Sequence, residues 1–458
     1  VTVPLPPALP RLLTLPAPRP LTRGASGLLT RAASGLLTRA ASGLLTRAAI
    51  RSPLRRKPGA SSRRAFRSGV LGALLLPLAL LPVTGGRTGA QAAVTRTPAA
   101  AQAPAAQCGT PYRIDQALPN GARWQMCWEM RNVEGLTLNK VVYTPRGGRQ
   151  VSVLRTAALA QIHVPYDSGT PRYHDIGALG ATAVPLQAAD CPGGERRGQF
   201  VCVTTRPRGH AYLKGGDGEP ARTAQGRELV VFSAFQVGWY TYLVEWGFSD
   251  DGAITPRVGA TGALSGFTTT PEHGWPIGVG RATFEESHSH NIFWRLDFDI
   301  QGRQDDVVEQ YDFSGSGTAK RKISHTAFTR EGKAVNSPMR WWRVVDPQVR
   351  NADGHPVSWE INNTESSQYR GPANEKFTQA DLYVTQYRAC ERLATTNPSP
   401  GCATSVDRYV NGERITDPVV WVNVDYHHVA RDEDGDTMPT HWQGFRITPR
   451  DVTAKNPY

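Results

Sequence analysis

Four methionines and six cysteines in 458 residues leave little room for sulfur chemistry. None of Cys108, Cys127, Cys191, Cys202, Cys390 and Cys402 belongs to a Cys-x-x-Cys pair, which argues against a thiolate zinc site or a redox motif. Acidic residues are missing altogether from residues 1–92, which carry 14 of the 52 lysines and arginines. The other 38 face 39 carboxylates, so the body of the chain has a net charge of −1, against +13 for the whole. Without a cationic excess to release phosphate counterions, nucleic acid is not an expected partner. Helical periodicity is nearly absent, and no apolar run reaches the roughly 20 residues that cross a bilayer, so no membrane span is expected.

What is present begins with an eight-residue repeat, RAASGLLT, registered by Arg23, Arg31, Arg39 and Arg47. That period fits no solenoid unit. With Val1 first and no methionine before Met126, residues 1–55 read as a low-complexity stretch, disordered or upstream of the true start. Residues 56–92 read as a signal peptide: SSRRAFRSGVLGALLLPLALLPV, broken by Pro77 and Pro82, precedes a small-residue site at Ala90-Gln91-Ala92. Ser62-Arg63-Arg64-Ala65-Phe66 is similar to a twin-arginine export signal, so a secreted or periplasmic protein is expected. Residues 93–107 form an Ala/Pro/Gln linker to one domain over 108–458. Six cysteines in an exported chain fit three disulfides between sequence neighbours, among 15 possible pairings.

The domain reads with period two. LTLNKVVYT, RQVSVLR, ELVVFSAFQVGWYTYLVEWGF, IFWRLDFDI, DLYVTQYRA and VVWVNVDY are rich in β-branched and aromatic residues and separated by turn formers. The expected fold is all-β, a large antiparallel β-sandwich with long loops and few helices. Within SHSHNIFWRLDFDI, His288 and His290 project from one face of a strand, and Asp297 and Asp299 from the other. In DPVVWVNVDYHHVAR an odd separation places Asp417 and His428 on opposite faces as well. Three imidazoles can therefore meet on one side and three carboxylates on the other. Imidazoles suit a borderline metal such as copper or zinc, and carboxylates suit a hard ion such as calcium. His427 points away from its neighbour and is not expected to be a ligand.

These pieces, in this order, resemble the catalytic domain of the copper-containing, topaquinone-dependent amine oxidases over about Ala122 to Pro457. The ending HHVARDEDGDTMPTHWQGFRITPRDVTAKNP is similar to the C-terminal block of that family. The resemblance implies copper on His288, His290 and His428, and a peripheral calcium on Asp297, Phe298 (carbonyl), Asp299 and Asp417, with Pro418 offering a further carbonyl. Trp239-Tyr240-Thr241-Tyr242 aligns with the Asn-Tyr-Asp/Glu-Tyr motif, so Tyr240 is implied as the precursor of topaquinone. In LAQIHVPYDSGTPRYHDIGALG the resemblance makes Asp175 the catalytic base, Tyr173 a gate and Tyr166 a partner of the quinone oxygen. Cys191 and Cys202 match a family disulfide, and a homodimer is the family habit. Trp239, Thr241 and Ala178 replace the family's Asn, acid and Glu.

The expected function is a secreted copper-dependent primary-amine oxidase, taking a primary amine and dioxygen to aldehyde, hydrogen peroxide and ammonia. The competing reading is an exported, non-catalytic metal-binding β-sandwich that never makes the quinone, for which Trp239 and Thr241 would account. A zinc hydrolase using three histidines is a third.

Overall fold

The computed structural model describes residues 108–458, apart from 217, 265–270, 280–282, 303–304, 316–320 and 436. The repeat, the export-type leader and the linker lie outside these residues. Val, Ile, Tyr and Trp dominate the strands, where branched and aromatic side chains pack well on a pleated, half-buried surface. Nine strands make one sheet and eleven the other, with a separate ribbon of Gly274–Ile277 and Thr283–Glu286. The middle of the nine-stranded sheet runs Gly135–Thr144, Val151–Pro165, His288–Phe298, Pro418–His428, Leu382–Gln386, each antiparallel to the next. The middle of the other runs Ile254–Gly262, Tyr240–Ser249, Glu219–Val237, Val201–Gly216, again antiparallel. Among the described residues one short α-helical turn occurs, Val406–Tyr409, and no helix is long and apolar enough to cross a membrane.

The two inner faces meet in one core. Trp246 from the eleven-stranded sheet stands edge-to-face against Trp294 of the His-x-His strand, centroids 4.9 Å apart and both fully buried. Even-numbered residues of that strand, Ile292, Trp294 and Leu296, enter this core, whereas Phe293 enters a second cluster on the outer face with Tyr383 and Trp421. The strand is buried on both sides, and its middle, Ile292-Phe293-Trp294, is apolar on both faces, with the buried Arg295 following it. Its pairing with Pro418–His428 runs unshifted from His288 to Asp297. The irregularities fall instead in the pairing with Val151–Pro165.

One expected segment divides. ELVVFSAFQVGWYTYLVEWGF is a hairpin, not one strand: Glu219–Val237 and Tyr240–Ser249 are joined by Gly238-Trp239. Gly238 has φ +59°, the left-handed value a two-residue hairpin turn asks of its first central residue. Three disulfides, Cys108–Cys127, Cys191–Cys202 and Cys390–Cys402, join sequence neighbours.

Candidate active site

The register brings the histidines together. His288 lies directly opposite His428 in the antiparallel pair, and His290 opposite Tyr426. Cross-strand partners are each other's nearest side chains on a face. Nitrogens of His288, His290 and His428 accordingly fall within 4.8 Å of one another, all three residues buried. Burial and its neighbour His428 push the His288 imidazole down to about 3, burial drives His290 far below its ordinary value, and burial lowers His428. All three are neutral near pH 7, so each keeps a lone pair. His288 Nδ1 faces the Glu286 carbonyl at 3.2 Å, which leaves Nε2 for the cluster. His428 turns Nε2 to the buried Asp434 carboxylate at 3.2 Å, which leaves Nδ1. A carboxylate behind an imidazole fixes its tautomer, as at many metal centres. His290 is fully buried and stacked on Tyr426, and neither ring nitrogen has a hydrogen-bond partner. Such an orphaned pair of nitrogens fits a metal ligand. His427 points outward to Asp167.

Tyr240 enters from the other sheet. It is the first residue after the hairpin turn, and its hydroxyl lies 2.8 Å from His288 Nε2 and 3.0 Å from His428 Nδ1. Gly262 pairs with it, and a Cβ there would stand 2.3 Å from the Trp239 carbonyl, so only glycine permits this approach. Tyr166 stacks on His288, centroids 4.6 Å apart, and Tyr173 meets both Tyr166 and Trp239 edge-on. Asp175 accepts a 2.6 Å hydrogen bond from Tyr242. Burial raises its carboxyl to about 6, against the lowering effect of that bond. Tyr166, Tyr173, Asp175, Trp239, Tyr240 and Tyr242 share a pocket of about 150 Å³. Larger clefts, of about 570 and 610 Å³, lie at the Cys108–Cys127 disulfide and the C-terminal residues, away from the histidines.

Behind the pocket, Glu375 clamps the Arg172 guanidinium and lies 3.2 Å from His163 Nε2, while His163 Nδ1 faces the Tyr173 carbonyl at 3.0 Å. This brace holds the short strand Arg172–His174 that leads into Asp175. Sequence reasoning assigned no role to Tyr242, Asp434 or this brace. Tyr242 was within reach, since two residues after Tyr240 is the same strand face.

On the opposite face, Asp297 and Asp417 do converge, but on Arg155. Nε and Nη2 take the two oxygens of Asp297 at 3.0 and 2.7 Å, and Nη2 the two of Asp417 at 3.1 and 3.0 Å. Asp299 lies past the strand end, with one buried oxygen unpartnered. Phe298 packs in the main core, and Pro418 opens its strand opposite Gln386. Calcium needs six to eight oxygens at roughly 2.3–2.6 Å. With all four oxygens of Asp297 and Asp417 engaged by a guanidinium, the expected calcium set does not fit as folded.

A family model described as "Copper amine oxidase, enzyme domain" matches residues 114–458. Among curated proteins, the primary amine oxidase of Arthrobacter sp. (strain P1) is 28% identical over 260 residues, covering 52% of this chain and 40% of that protein. The primary amine oxidase of Klebsiella aerogenes is 25% identical over 409 residues, covering 76% and 54%. This chain thus spans about half the length of these relatives. Among solved structures, a copper-containing benzylamine oxidase from Hansenula polymorpha superposes with a TM-score of 0.64 at 21% identity, covering 80% of this chain and 64% of that one. That last likeness bears on the fold alone.

Proposed function

Since this chain belongs to the copper amine oxidase family, we propose that it oxidises a primary amine with dioxygen and water to aldehyde, ammonia and hydrogen peroxide. The observation that carries the reading is the Tyr240 hydroxyl seated between two neutral imidazoles, on a pocket it shares with a carboxyl that burial raises to about 6. His288 Nε2, His428 Nδ1 and a nitrogen of His290 would hold copper. When present, copper and the quinone made from Tyr240 supply the redox chemistry, drawing electrons from the amine and passing them to dioxygen. Asp175, ionised above about pH 6, takes the proton from the carbon beside nitrogen. Tyr242 fixes the carboxylate by donating to Oδ2. Tyr166 packs between His288 and the pocket and keeps its apolar wall closed.

The pocket limits the amine. Its walls are aromatic and aliphatic, and Asp175 is the acid among the residues that line it. A monoamine with a small apolar remainder fits, and a diamine, with a second ammonium to desolvate, does not. We take secretion from the leader sequence and from the three disulfides, which suit an oxidising compartment. A homodimer is adopted from the family alone. Calcium is left out of the reading because of Arg155.

The second reading, a non-catalytic metal-binding relative, is favoured by Trp239, whose indole closes on Tyr173 in place of the family's Asn. Copper loading of purified protein in air, followed by a redox-cycling quinone stain, separates the two. The oxidase stains and loses the stain in Tyr240→Phe; copper bound without any stain points to the second reading.

A further inference from the structure

We propose that the Arg155 guanidinium replaces the peripheral calcium ion, so that this chain holds its second acidic cluster together without a metal. The placement of Arg155 comes from the backbone. Opposite the His-x-His strand, Asp297 pairs with Thr156 and Phe298 with Leu154, leaving Arg155 as the extra residue of a β-bulge. A bulge adds one unpaired residue and re-aims its side chain. Here it sends the guanidinium to Asp297, 142 residues away in sequence, and to Asp417, 262 away.

The contacts complete the site. All four oxygens of the two carboxylates lie 2.7–3.1 Å from Nε or Nη2. Asp297 is buried and Asp417 nearly so, which makes these charge-assisted bonds stronger than surface ion pairs. The Tyr387 ring lies under the guanidinium, 4.2 Å from its carbon, and its backbone N–H donates to the Asp417 carbonyl. Arg295 Nη1 stands 3.9 Å from Asp297 as a second positive charge. Two carboxylates therefore face two guanidinium groups before any ion arrives. A divalent cation would have to expel Arg155 and break its charge-assisted contacts to both carboxylates in a largely buried place, which is costly. Asp299 lies near enough to feel Arg155, Asp297 and Asp417, but the hydrogen bonds of Arg155 go to the other two carboxylates and one Asp299 oxygen is buried without a partner.

The test uses the whole, copper-loaded protein. After dialysis against calcium-free buffer, its calcium content is measured by mass spectrometry, and its unfolding midpoint with and without 1 mM calcium chloride. The proposal expects less than 0.1 calcium per chain and a midpoint unmoved within about 1 °C. Arg155→Ala should lower the midpoint by roughly 5–10 °C in calcium-free buffer, as loss of one partner of a buried charge pair implies. Calcium should restore most of that loss and appear at one equivalent. Two results overturn the proposal. One is wild-type protein holding one equivalent of calcium that disappears in Asp417→Asn, with a matching fall in midpoint. The other is a folded Arg155→Ala that calcium leaves unchanged. If Arg155→Ala fails to fold, the wild-type calcium content and the Asp417→Asn comparison decide. None of these readouts depends on amine turnover.

Discussion

Asp175 and Tyr242 form a donor–acceptor pair whose parts can be varied one at a time. Burial holds the carboxyl at about 6, and the phenol's hydrogen bond keeps it from rising further. In the proposed reaction Asp175 is the base and acts when ionised, so kcat/KM should climb about tenfold per pH unit below that value and level off above it. Peroxide release measured from pH 5 to 8 tests this. Tyr242→Phe removes the stabilising bond, which raises the carboxyl, and the rising limb should move to higher pH. Asp175→Asn should lower kcat by roughly 10²–10⁴-fold and leave quinone staining intact, because a lost proton acceptor does not remove copper ligands. Asp175 and Tyr240 could be placed from the sequence because each stands in a short motif. Their surroundings could not: Tyr242 reaches Asp175 across 67 residues, and Glu375 holds Arg172, just upstream of Asp175, across 203.

At the level of elements, the site depends on one strand register, one hairpin and one clamped short strand. Alternation alone separated the imidazoles of the His-x-His strand from its carboxylates, and the unshifted pairing with Pro418–His428 kept that separation. The bulge at Arg155 lies in the neighbouring strand, where no residue pattern announces it, and so calcium was expected where a guanidinium stands. The hairpin turn was missed for a related reason: Gly238-Trp239 interrupts a run that is apolar on both sides, and the period of two hides the reversal. The clamp gives a pH prediction. Although burial opposes it, hydrogen bonds from His163 and Arg172 hold Glu375 down at about 2. The folded value lies below the unfolded one, so this stabilisation is complete above about pH 4.5 and fades as pH falls toward 2. Glu375→Gln should therefore be less stable than wild type at pH 6, with the gap narrowing by pH 3.5 in urea unfolding curves.

For the whole molecule, several acids are raised rather than lowered. Burial, with Asp346 and Asp299 nearby, lifts Asp306 to about 8, and burial with Glu331 nearby lifts Glu391 to about 7. Between about pH 4 and these values each of these two carboxyls keeps in the folded chain a proton that it loses in the unfolded one, so its own contribution to stability falls as pH rises. Asp306→Asn should therefore gain in thermal midpoint relative to wild type as pH rises from 5 to 8, which paired melting curves check. Emptying the contact between the sheets, as in Trp294→Ala, should cost about 3–5 kcal/mol whatever the pH. The amino-acid sequence by itself determined the β character, the opposing faces of the His-x-His strand and the histidines and tyrosines that could meet. These follow from local rules: side-chain alternation and the chemistry of each residue type. Tertiary structure alone decided that Tyr240 lies among the imidazoles, that Glu375 holds Arg172 and that Arg155 occupies the acidic cluster. Each joins parts of the chain far apart in sequence, and such contacts are set by strand order, register and a bulge that no local pattern encodes.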